Sequence, residues 1–287
     1  MVLKVLIAGG NGQLGRELNK LLDRKYRVMS CTSDEMDILN KNQLNKRIKA
    51  YKPDWIINCA AYNNVDEAEI DRSRAELINE LGPRNLAEVA NEHRCALLHF
   101  SSDYVFDGRT DKPYIETDPT NPINHYGRTK VEGEKRIMEC HDDYLIIRTS
   151  WLYGGSGRSF VNAVLARAKQ GSLLQVVDDQ IGNPTCTLDL ALQVELAMRV
   201  KLSGLYHCSG LGYCSRFDFA EKILSLAGIS ADVKAIKTSD TIHNAERPLF
   251  SALDSQLIEQ SLGRRMLSWE DSLEAYMKKE INNGPSL

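Results

Sequence analysis

Tyr126 and Lys130 stand four positions apart where a helix is predicted to begin near His125, so both side chains lie on one helical face. A phenol has a pKa of about 10 and is a weak acid or base at neutral pH, but a fixed ammonium group nearby favours the phenolate and lowers that pKa. The spacing predicts a pair for proton transfer. Taken alone, the same spacing is more typical of an ordinary pair on a helix surface.

Ser102 adds a third group suited to the same chemistry. It stands at the end of a predicted buried strand, and ligands of open α/β sheets bind outside the carboxyl ends of the strands. Hydride addition to a ketone creates an alkoxide, which needs a proton and a hydrogen-bond donor as its charge develops. Together, Tyr126, Lys130 and Ser102 predict a site that reduces a carbonyl group.

Three glycines, Gly9, Gly12 and Gly15, follow the first predicted strand and open the first predicted helix. In this strand-turn-helix context a glycine fingerprint binds a dinucleotide. Gly9 permits a tight turn, Gly12 lets the backbone approach a pyrophosphate, and Gly15 allows the helix to pack closely on the strand. The helix N-terminus attracts the negative charge. The turn therefore predicts a nicotinamide dinucleotide as cofactor.

The residues after the second predicted strand leave the choice between NADH and NADPH open. An acidic residue at the end of that strand would hold the ribose hydroxyls of NADH, yet the strand ends in residues 30–33 and Asp34 comes slightly late. Arg16, just after the last glycine, is placed to meet the 2′-phosphate of NADPH but is equally explained as an exposed helix residue. Both cofactors therefore stay candidates.

Short apolar segments alternate with amphipathic ones over the first half of the chain, which is the pattern of a parallel sheet covered by helices on both faces. Buried strands are predicted at residues 4–8, 27–31, 55–59, 96–101 and 144–149. Crossover helices are predicted at residues 15–22, 42–50, 72–90 and 129–140. The predicted fold class is α/β, a Rossmann-type doubly wound parallel sheet.

The pattern becomes less regular after Trp151, which follows the fifth predicted strand and faces the predicted crevice. We expect residues 1–150 to form the dinucleotide-binding Rossmann domain and residues 151–287 to form a smaller C-terminal α/β region that mainly binds substrate. Glycine-containing loops at residues 154–157 and 180–184 separate its segments. The elements predicted there are helices at residues 216–227 and 269–279 and a strand near residues 204–208 that rejoins the first sheet.

Composition argues against several classes of function. The 287 residues include 36 basic and 39 acidic side chains, so no surface for nucleic acid is indicated. No segment reaches the roughly 18 uninterrupted apolar residues of a membrane-spanning helix, and the apolar start breaks into glycines too early for a signal peptide. The seven cysteines lack a C-x-x-C pair and fit the reducing cytosol. We therefore expect a cytoplasmic protein without a nucleic-acid or membrane partner.

No metal site is expected. The six histidines show no ligand spacing, and His99 and His207 lie inside predicted strands, where a core role is the better explanation. The acidic side chains of residues 66–71 could hold a divalent ion. They are better explained as a solvated helix start that the helix dipole favours.

Several motifs resemble those of the dTDP-4-dehydrorhamnose reductases, which are extended short-chain dehydrogenases of nucleotide-sugar biosynthesis. The resemblance covers nearly the whole chain and includes the G-x-x-G-x-x-G spacing of the glycine turn. Its most specific motifs are GQLG at 12–15, NCAAY at 58–62, VDEAE at 65–69, SDYVFDG at 102–108, YGRTK at 126–130 and RTSWLY at 148–153. It extends toward the C-terminus through YIETDP at 114–119, NPT at 183–185 and RPLFSALD at 247–254.

The resemblance implies that the chain reduces the C4 ketone of dTDP-4-dehydro-L-rhamnose to give dTDP-L-rhamnose, a precursor of surface polysaccharides. It implies that Tyr126 is the acid, Lys130 its partner and Ser102 the carbonyl-binding hydroxyl. The implied cofactor positions are Gln13 and Leu14 at the pyrophosphate, Asp37 and Ile38 near the adenine, Ala60, Ala61 and Tyr62 on the nicotinamide side, and Asn79 in a proton relay with Tyr126 and Lys130. The implied substrate positions are Ser102, Asp103 and Trp151.

The chain departs from the family pattern at Asn63, Asn64 and His125, so we expect altered substrate fit rather than lost chemistry. One alternative is a non-catalytic regulatory subunit of the methionine adenosyltransferase type, which shares the fold but would need a docking tail where this chain is short and polar after Lys279. Another is a reductase or epimerase acting on a different nucleotide sugar. A monomer or a homodimer is expected.

Overall fold

The structure is a computed structural model that describes residues 2–155, 157, 159–171 and 173–282. Its strands are β1 (Lys4–Ala8), β2 (Arg27–Cys31), β3 (Trp55–Asn58), β4 (Ala96–Ser102), β5 (Tyr144–Thr149), β6 (Leu152–Tyr153), β7 (Leu174–Val177), β8 (Ile181–Gly182), β9 (Thr185–Cys186), β10 (Gly204–His207), β11 (Cys214–Ser215) and β12 (Val233–Ile236). Its α-helices are α1 (Gln13–Leu22), α2 (Lys41–Tyr51), α3 (Val65–Ile70), α4 (Arg72–Glu76), α5 (Gly82–His93), α6 (His125–Cys140), α7 (Phe160–Lys169), α8 (Thr187–Val200), α9 (Arg216–Ala227), α10 (Gln256–Leu262) and α11 (Trp269–Asn282).

A six-stranded parallel sheet, in the order β10-β5-β4-β3-β1-β2, forms the centre of the molecule. Apolar side chains pack on both of its faces, as Ile7 does on one face and Leu6 on the other. The strand order reverses beside β1, which pairs with both β2 and β3. Sheets of this kind bind ligands at such a switch point. The predicted fold class, α/β with a doubly wound parallel sheet, is confirmed.

The predicted strands of the first half are all present, although β3 ends one residue earlier than expected and β4 one residue later. β10 pairs in parallel with β5, at the place expected for the strand near residues 204–208. The sequence did not predict α8, which packs against α1 in the core on one face of the sheet. The chain thus returns to the central sheet after residue 151, and a domain division at residue 150 stays a prediction.

The helix predicted at residues 72–90 is interrupted by a π-helical turn, Leu77–Leu81, between α4 and α5. In an α-helix the N–H of Pro83 would bond the carbonyl of Asn79, but proline has no N–H. That carbonyl instead lies against Gly133 of α6, where a Cβ would overlap it. The turn therefore allows close packing between Asn79 and the helix that carries Tyr126.

The C-terminal region packs α7, α9 and α11 around a second core that includes Tyr153, Phe219 and Trp269. Its strands pair only two by two, β6 with β9, β8 with β11 and β7 with β12. The two helices predicted in this region are present as α9 and α11. Position 156 of the predicted glycine loop and the polar residues after 282 lie outside the described residues. Among the described helices, none has the length and apolar character needed to cross a membrane.

Candidate active site

A cleft opens at the carboxyl ends of the central strands, and residues of the C-terminal region form its other wall. Its cavity has a volume of about 390 Å³. Arg216, which sequence reasoning missed, lines it as well. The cavity brings together many of the residues predicted for the site, namely Gly12, Gln13, Leu14, Ala61, Ser102, Asp103, Tyr126, Lys130 and Trp151.

The start of α6 positions Tyr126 in this cleft. The Asn124 side chain caps the helix by accepting a hydrogen bond from the Gly127 N–H at 2.8 Å. Gly127 lets the helix lie against the Tyr104 carbonyl, which a Cβ would overlap. The rings of Tyr126 and Tyr104 meet edge to face, with centroids 5.9 Å apart. This packing places the Tyr126 phenol in the same cleft as the Ser102 side chain.

The environment of Tyr126 corrects one expectation. Burial raises the pKa of its phenol above the ordinary value, and the neighbouring Ser102 side chain lowers it by less. The predicted lowering of this pKa is wrong, because the loss of hydration outweighs the favourable contacts of the phenolate. A phenol with a raised pKa keeps its proton at neutral pH. That state suits a group that donates a proton.

Lys130 is buried behind Tyr126, and its ammonium group donates a hydrogen bond to the Phe100 carbonyl at 2.7 Å. Burial lowers the Lys130 pKa to about 8, against the opposing effect of Glu134 on the same helix. Lysine is then still mostly charged at neutral pH but close to titration. Such a group can both stabilise an anion and exchange a proton.

His99 of β4 contacts Lys130, with 3.4 Å between His99 Nε2 and Lys130 Nζ. The Asn58 Oδ1 accepts a hydrogen bond from the Ala60 N–H at 3.1 Å, which turns the Asn58 amide nitrogen toward His99 Nδ1 at 3.0 Å. Burial lowers the His99 pKa well below its ordinary value, so the ring is neutral. The neutral ring therefore adds no second positive charge beside Lys130. The expected core position of His99 is correct, but the residue also borders the catalytic pair.

Asp103 lies beside Ser102 and is itself buried. One carboxylate oxygen accepts a hydrogen bond from the Ser102 hydroxyl at 2.9 Å, and the other accepts one from the Ser251 hydroxyl at 2.6 Å. Burial raises the Asp103 pKa to about 6 in spite of these hydrogen bonds. Asp103 thus orients the Ser102 hydroxyl and links β4 to the C-terminal region.

The glycine turn fits a dinucleotide. Gly9 has a φ of +74°, and a Cβ there would lie 2.6 Å from the Ala60 nitrogen, so the turn between β1 and α1 has no room for a side chain where it packs on the segment after β3. A Cβ on Gly15 would overlap the Gly9 carbonyl. Gly12 precedes α1, whose first N–H groups have no side-chain cap. A tight glycine turn followed by an uncapped helix N-terminus is a common binding site for a pyrophosphate.

Asn79 and Tyr62, both predicted at the cofactor, bind each other outside the lining of the cleft. The Asn79 side chain accepts a hydrogen bond from the Tyr62 N–H at 2.8 Å and donates to the Tyr62 carbonyl at 3.1 Å. It also donates to the Thr129 hydroxyl at 3.0 Å. These contacts tie the loop after β3 to α6. The place of Asn79 in a proton relay stays a prediction, as does the role of Tyr62.

Asp37 and Ile38, predicted near the adenine, also lie outside the lining of the cleft. The Asp37 carboxylate accepts a hydrogen bond from the Leu39 N–H at 2.9 Å. Ile38 is buried, and its carbonyl accepts a hydrogen bond from the Asn85 side chain at 3.0 Å. Both residues shape the segment after β2, and their contact with a cofactor stays a prediction.

Trp151 forms the opposite wall of the cleft. Its ring lies against Gly182, where any Cβ would overlap the indole. The Arg216 guanidinium stands 3.5 Å from the centre of the same ring. Arg216 is the first residue of α9, a position where the helix dipole disfavours a positive charge. That misplaced charge is the sequence signal that could have identified Arg216.

A family model described as RmlD substrate binding domain matches residues 3–282. The chain belongs to this family. It is 39% identical to the dTDP-4-dehydrorhamnose reductase of Aggregatibacter actinomycetemcomitans, over 94% of this chain and 97% of that protein. The predicted resemblance is confirmed, and with it the class of enzyme.

Solved structures of family members share the fold over nearly the whole chain. The dTDP-4-dehydrorhamnose reductase of Clostridium acetobutylicum ATCC 824 has a TM-score of 0.94 and 39% identity, covering 96% of this chain and 99% of that one. The dTDP-4-dehydrorhamnose reductase of Bacillus anthracis str. Ames, in complex with NADP, has a TM-score of 0.95 and 37% identity. The match covers 97% of this chain and 100% of that one. The roles of individual residues in this RmlD-family chain still rest on the geometry above.

Proposed function

We propose that this chain is an NADPH- or NADH-dependent dTDP-4-dehydrorhamnose reductase. It reduces the C4 ketone of dTDP-4-dehydro-L-rhamnose to the hydroxyl of dTDP-L-rhamnose. The observation that carries the proposal is the single cleft in which the Tyr126 phenol, the Ser102 hydroxyl and the glycine turn meet. The printed names of the relatives point to the same reaction.

The residues of the cleft divide the work of ketone reduction. A nicotinamide dinucleotide held at the glycine turn supplies the hydride. Tyr126 donates its proton to the C4 oxygen as negative charge develops there. The Ser102 hydroxyl rotates away from Asp103 and donates a hydrogen bond to the same oxygen. The raised pKa of Tyr126 keeps its proton available until the oxygen becomes basic.

Lys130 acts after this transfer. Proton donation leaves Tyr126 as a phenolate, and the charged Lys130 side chain on the same helical face stabilises it. Because the Lys130 pKa is about 8, this lysine can pass a proton to the phenolate near neutral pH. The hydrogen bond to the Phe100 carbonyl keeps the ammonium group in place during the cycle.

Two other activities fit the cleft less well. A dehydratase of this fold carries Asp and Glu after the hydroxyl residue, whereas Ser102 is followed by Asp103 and Tyr104. A regulatory subunit of the methionine adenosyltransferase type would keep the same Tyr-Lys pair, and the assay below separates it from the reductase because such a subunit would not oxidise the cofactor. We place the reductase in the cytoplasm, as a monomer or homodimer, in the supply of sugar for surface polysaccharides.

The test is a coupled assay in which two upstream enzymes convert dTDP-glucose into the ketone and the consumption of NADPH or NADH is followed. Tyr126→Phe removes the donated proton and should lower turnover by about 10²- to 10⁴-fold while NADPH binding is kept. The control Tyr213→Phe changes an exposed tyrosine and should leave turnover unchanged. Undiminished turnover in Tyr126→Phe contradicts the mechanism, and failure of the wild type to oxidise either cofactor contradicts the reaction.

A further inference from the structure

Asn58 and His99 are two polar side chains buried inside the central sheet. They are register partners in the neighbouring strands β3 and β4, and each is 1% exposed. They lie on the face of the sheet that α6 covers, since His99 contacts Lys130 of that helix. Ile56 and Leu97, two positions earlier on the same face, are apolar core residues. Burial of polar groups costs free energy, so a polar pair at this place calls for an explanation beyond packing.

The pair is connected to the segment after β3. The Asn58 side chain accepts a hydrogen bond from the Ala60 N–H at 3.1 Å, and its amide nitrogen lies 3.0 Å from His99 Nδ1. Ala60 is itself fixed, because its backbone packs against Gly9 without room for a Cβ on that glycine. The orientation of the His99 ring is therefore set from a rigid part of the fold.

Lys130 has few neighbours that can replace water around its ammonium group. In the part of the chain that the structure describes, its Nζ donates to the Phe100 carbonyl at 2.7 Å and stands 3.4 Å from His99 Nε2. Glu134 of the same helix favours the charged lysine, but both of its carboxylate oxygens accept hydrogen bonds from Arg148 of β5. The side-chain contact from the sheet to the ammonium group thus comes from His99.

His99 is not placed to carry a proton. Burial lowers its pKa well below the ordinary value, so the ring stays neutral. Both His99 and Asn58 lie outside the lining of the cleft, as the described residues form it. A proton passed from Lys130 to this ring would have no path onward to solvent. The contact between His99 and Lys130 is therefore one of position.

We propose that His99, held by Asn58, is a positioning residue that fixes the Lys130 ammonium group where it can stabilise the Tyr126 phenolate. This inference rests on the proposed function, in which Lys130 acts on that phenolate. A fixed ammonium group stabilises an anion better than a mobile one, because the interaction weakens with distance. Misplacement of a reacting group by about 1 Å can lower turnover by about 100-fold.

The test follows ketone turnover across pH in variants of the full chain that differ in reach. His99→Leu removes the polar ring. His99→Asn keeps a polar group at the place of Nδ1, beside Asn58, but does not reach Lys130. Both should lower kcat by about 10- to 100-fold with little change in KM, since His99 lies outside the lining of the cleft. His99→Gln restores a polar group at the place of Nε2 and should recover most of the rate.

The pH profile separates positioning from a purely structural role. In His99→Leu the charged lysine loses a polar neighbour, so the fall in kcat at alkaline pH should begin at a lower pH than in the wild type. The control His141→Leu removes a buried histidine that follows α6 and contacts the Cys95 carbonyl at 3.0 Å. It should keep the kcat and the pH profile of the wild type, whatever its loss of stability.

A direct titration of Lys130 gives a second measurement that does not depend on turnover. The side-chain signals of isotopically labelled lysine are followed by NMR, and the Lys130 signal is identified by its absence in Lys130→Arg. The pKa, about 8 in the wild type, should be lower in His99→Leu. Circular dichroism confirms that each variant is folded, and His99→Asn tests the same point in turnover if His99→Leu does not fold.

Turnover at the wild-type rate in His99→Leu or His99→Asn overturns the inference, as does a loss in His99→Gln equal to that in His99→Asn. An unchanged Lys130 titration in His99→Leu overturns it as well. The inference and the proposed function fail separately. If the wild type does not reduce the ketone but the Lys130 titration depends on His99, the proposed function falls and the positioning of Lys130 stands.

Discussion

The central sheet and the C-terminal region differ in how they hold charged side chains. On the sheet side, Arg148 of β5 and Glu134 of α6 share hydrogen bonds of 2.9 and 2.7 Å, with side chains 5% and 2% exposed. On the C-terminal side, Arg247 pairs with Asp66 of α3 at 2.6 Å, with side chains 13% and 34% exposed. The ion pair on the sheet is thus kept away from water, whereas the ion pair made by the C-terminal region stays partly in contact with solvent.

The two regions also contribute different residues to the cleft. Reacting groups need fixed positions, and Tyr126, Ser102 and Lys130 are all placed by the central sheet or by a helix packed on it. Arg216 and Trp151 line the cleft from the C-terminal region, at the start of α9 and in the loop before β6. The comparison predicts that equivalent substitutions in the central sheet and in the C-terminal region change the free energy of unfolding by unequal amounts.

Removal of the arginine from each ion pair should give the largest contrast. Arg148→Met leaves the Glu134 carboxylate buried without its partner and should lower the free energy of unfolding by about 3–5 kcal/mol. Arg247→Met should lower it by about 1 kcal/mol or less, since Asp66 is partly in water and keeps hydrogen bonds from the Asn244 and Ala245 N–H groups. Urea unfolding at neutral pH measures both losses.

The control for the ion pairs is the double variant Glu134→Gln with Arg148→Met. It removes both charges and should recover part of the stability that Arg148→Met loses, because no unpaired charge remains buried. Equal losses of unfolding free energy in Arg148→Met and Arg247→Met would contradict the difference between the central sheet and the C-terminal region.

Two glycines with similar backbone angles provide a second contrast. Gly9 has a φ of +74° and lies against the Ala60 backbone, whereas Gly228, which ends α9, has a φ of +65° and nothing within 4 Å of an added Cβ. Alanine costs about 1–2 kcal/mol at either position because of its backbone conformation. Overlap with Ala60 adds about 1–3 kcal/mol for Gly9→Ala alone.

Gly9→Ala should therefore be the less stable variant and should also lose affinity for NADPH, because the turn that seats the pyrophosphate must shift. Gly228→Ala should bind NADPH as the wild type does. Unfolding by urea and titration with NADPH test these expectations together. Normal NADPH affinity in Gly9→Ala would show that the glycine turn between β1 and α1 has room to adjust.

The same division explains how much of the fold the sequence could reveal. The strands of the central sheet are continuous apolar runs, and β2 and β5 were predicted with their observed ends. The C-terminal strands β6, β8, β9 and β11 have two residues each, which is too short for any periodic pattern. The sequence also missed α8, whose polar and apolar faces are weakly separated because residues such as Gln193 and Glu195 are buried with its apolar ones.

The site divides in a similar way. Tyr126 and Lys130 could be predicted from their spacing of four residues, and Ser102 from its place at the end of a strand. Arg216 depends on contacts with Trp151 and Phe160, residues 56 or more positions away along the chain, which no local motif records. The raised pKa of Tyr126 was missed for a related reason, since burial depends on the whole fold.

Two aspartates that differ in burial, Asp103 and Asp66, should respond to pH in opposite directions. Burial raises the Asp103 pKa to about 6. Burial also acts to raise the Asp66 pKa, but hydrogen bonds from the Ala245 N–H and from Arg247 outweigh it, so the pKa of Asp66 is lowered. The folded chain therefore binds a proton at Asp103 more tightly than the unfolded chain does, and at Asp66 less tightly.

Asp103 consequently lowers stability as the pH rises toward 6, and Asp66 adds stability that is lost as the pH falls through its folded pKa. Between about pH 4 and pH 6, Asp103→Asn should gain about 2 kcal/mol relative to the wild type, because its amide does not ionise. Asp66→Asn should instead lose stability relative to the wild type as the pH rises from about 3 to 5, by about 1 kcal/mol or less in its partly exposed position. Urea unfolding across this range measures how the stability of each variant relative to the wild type changes with pH. Changes of the same sign would mean that the two aspartates do not differ in the direction of their pKa shifts.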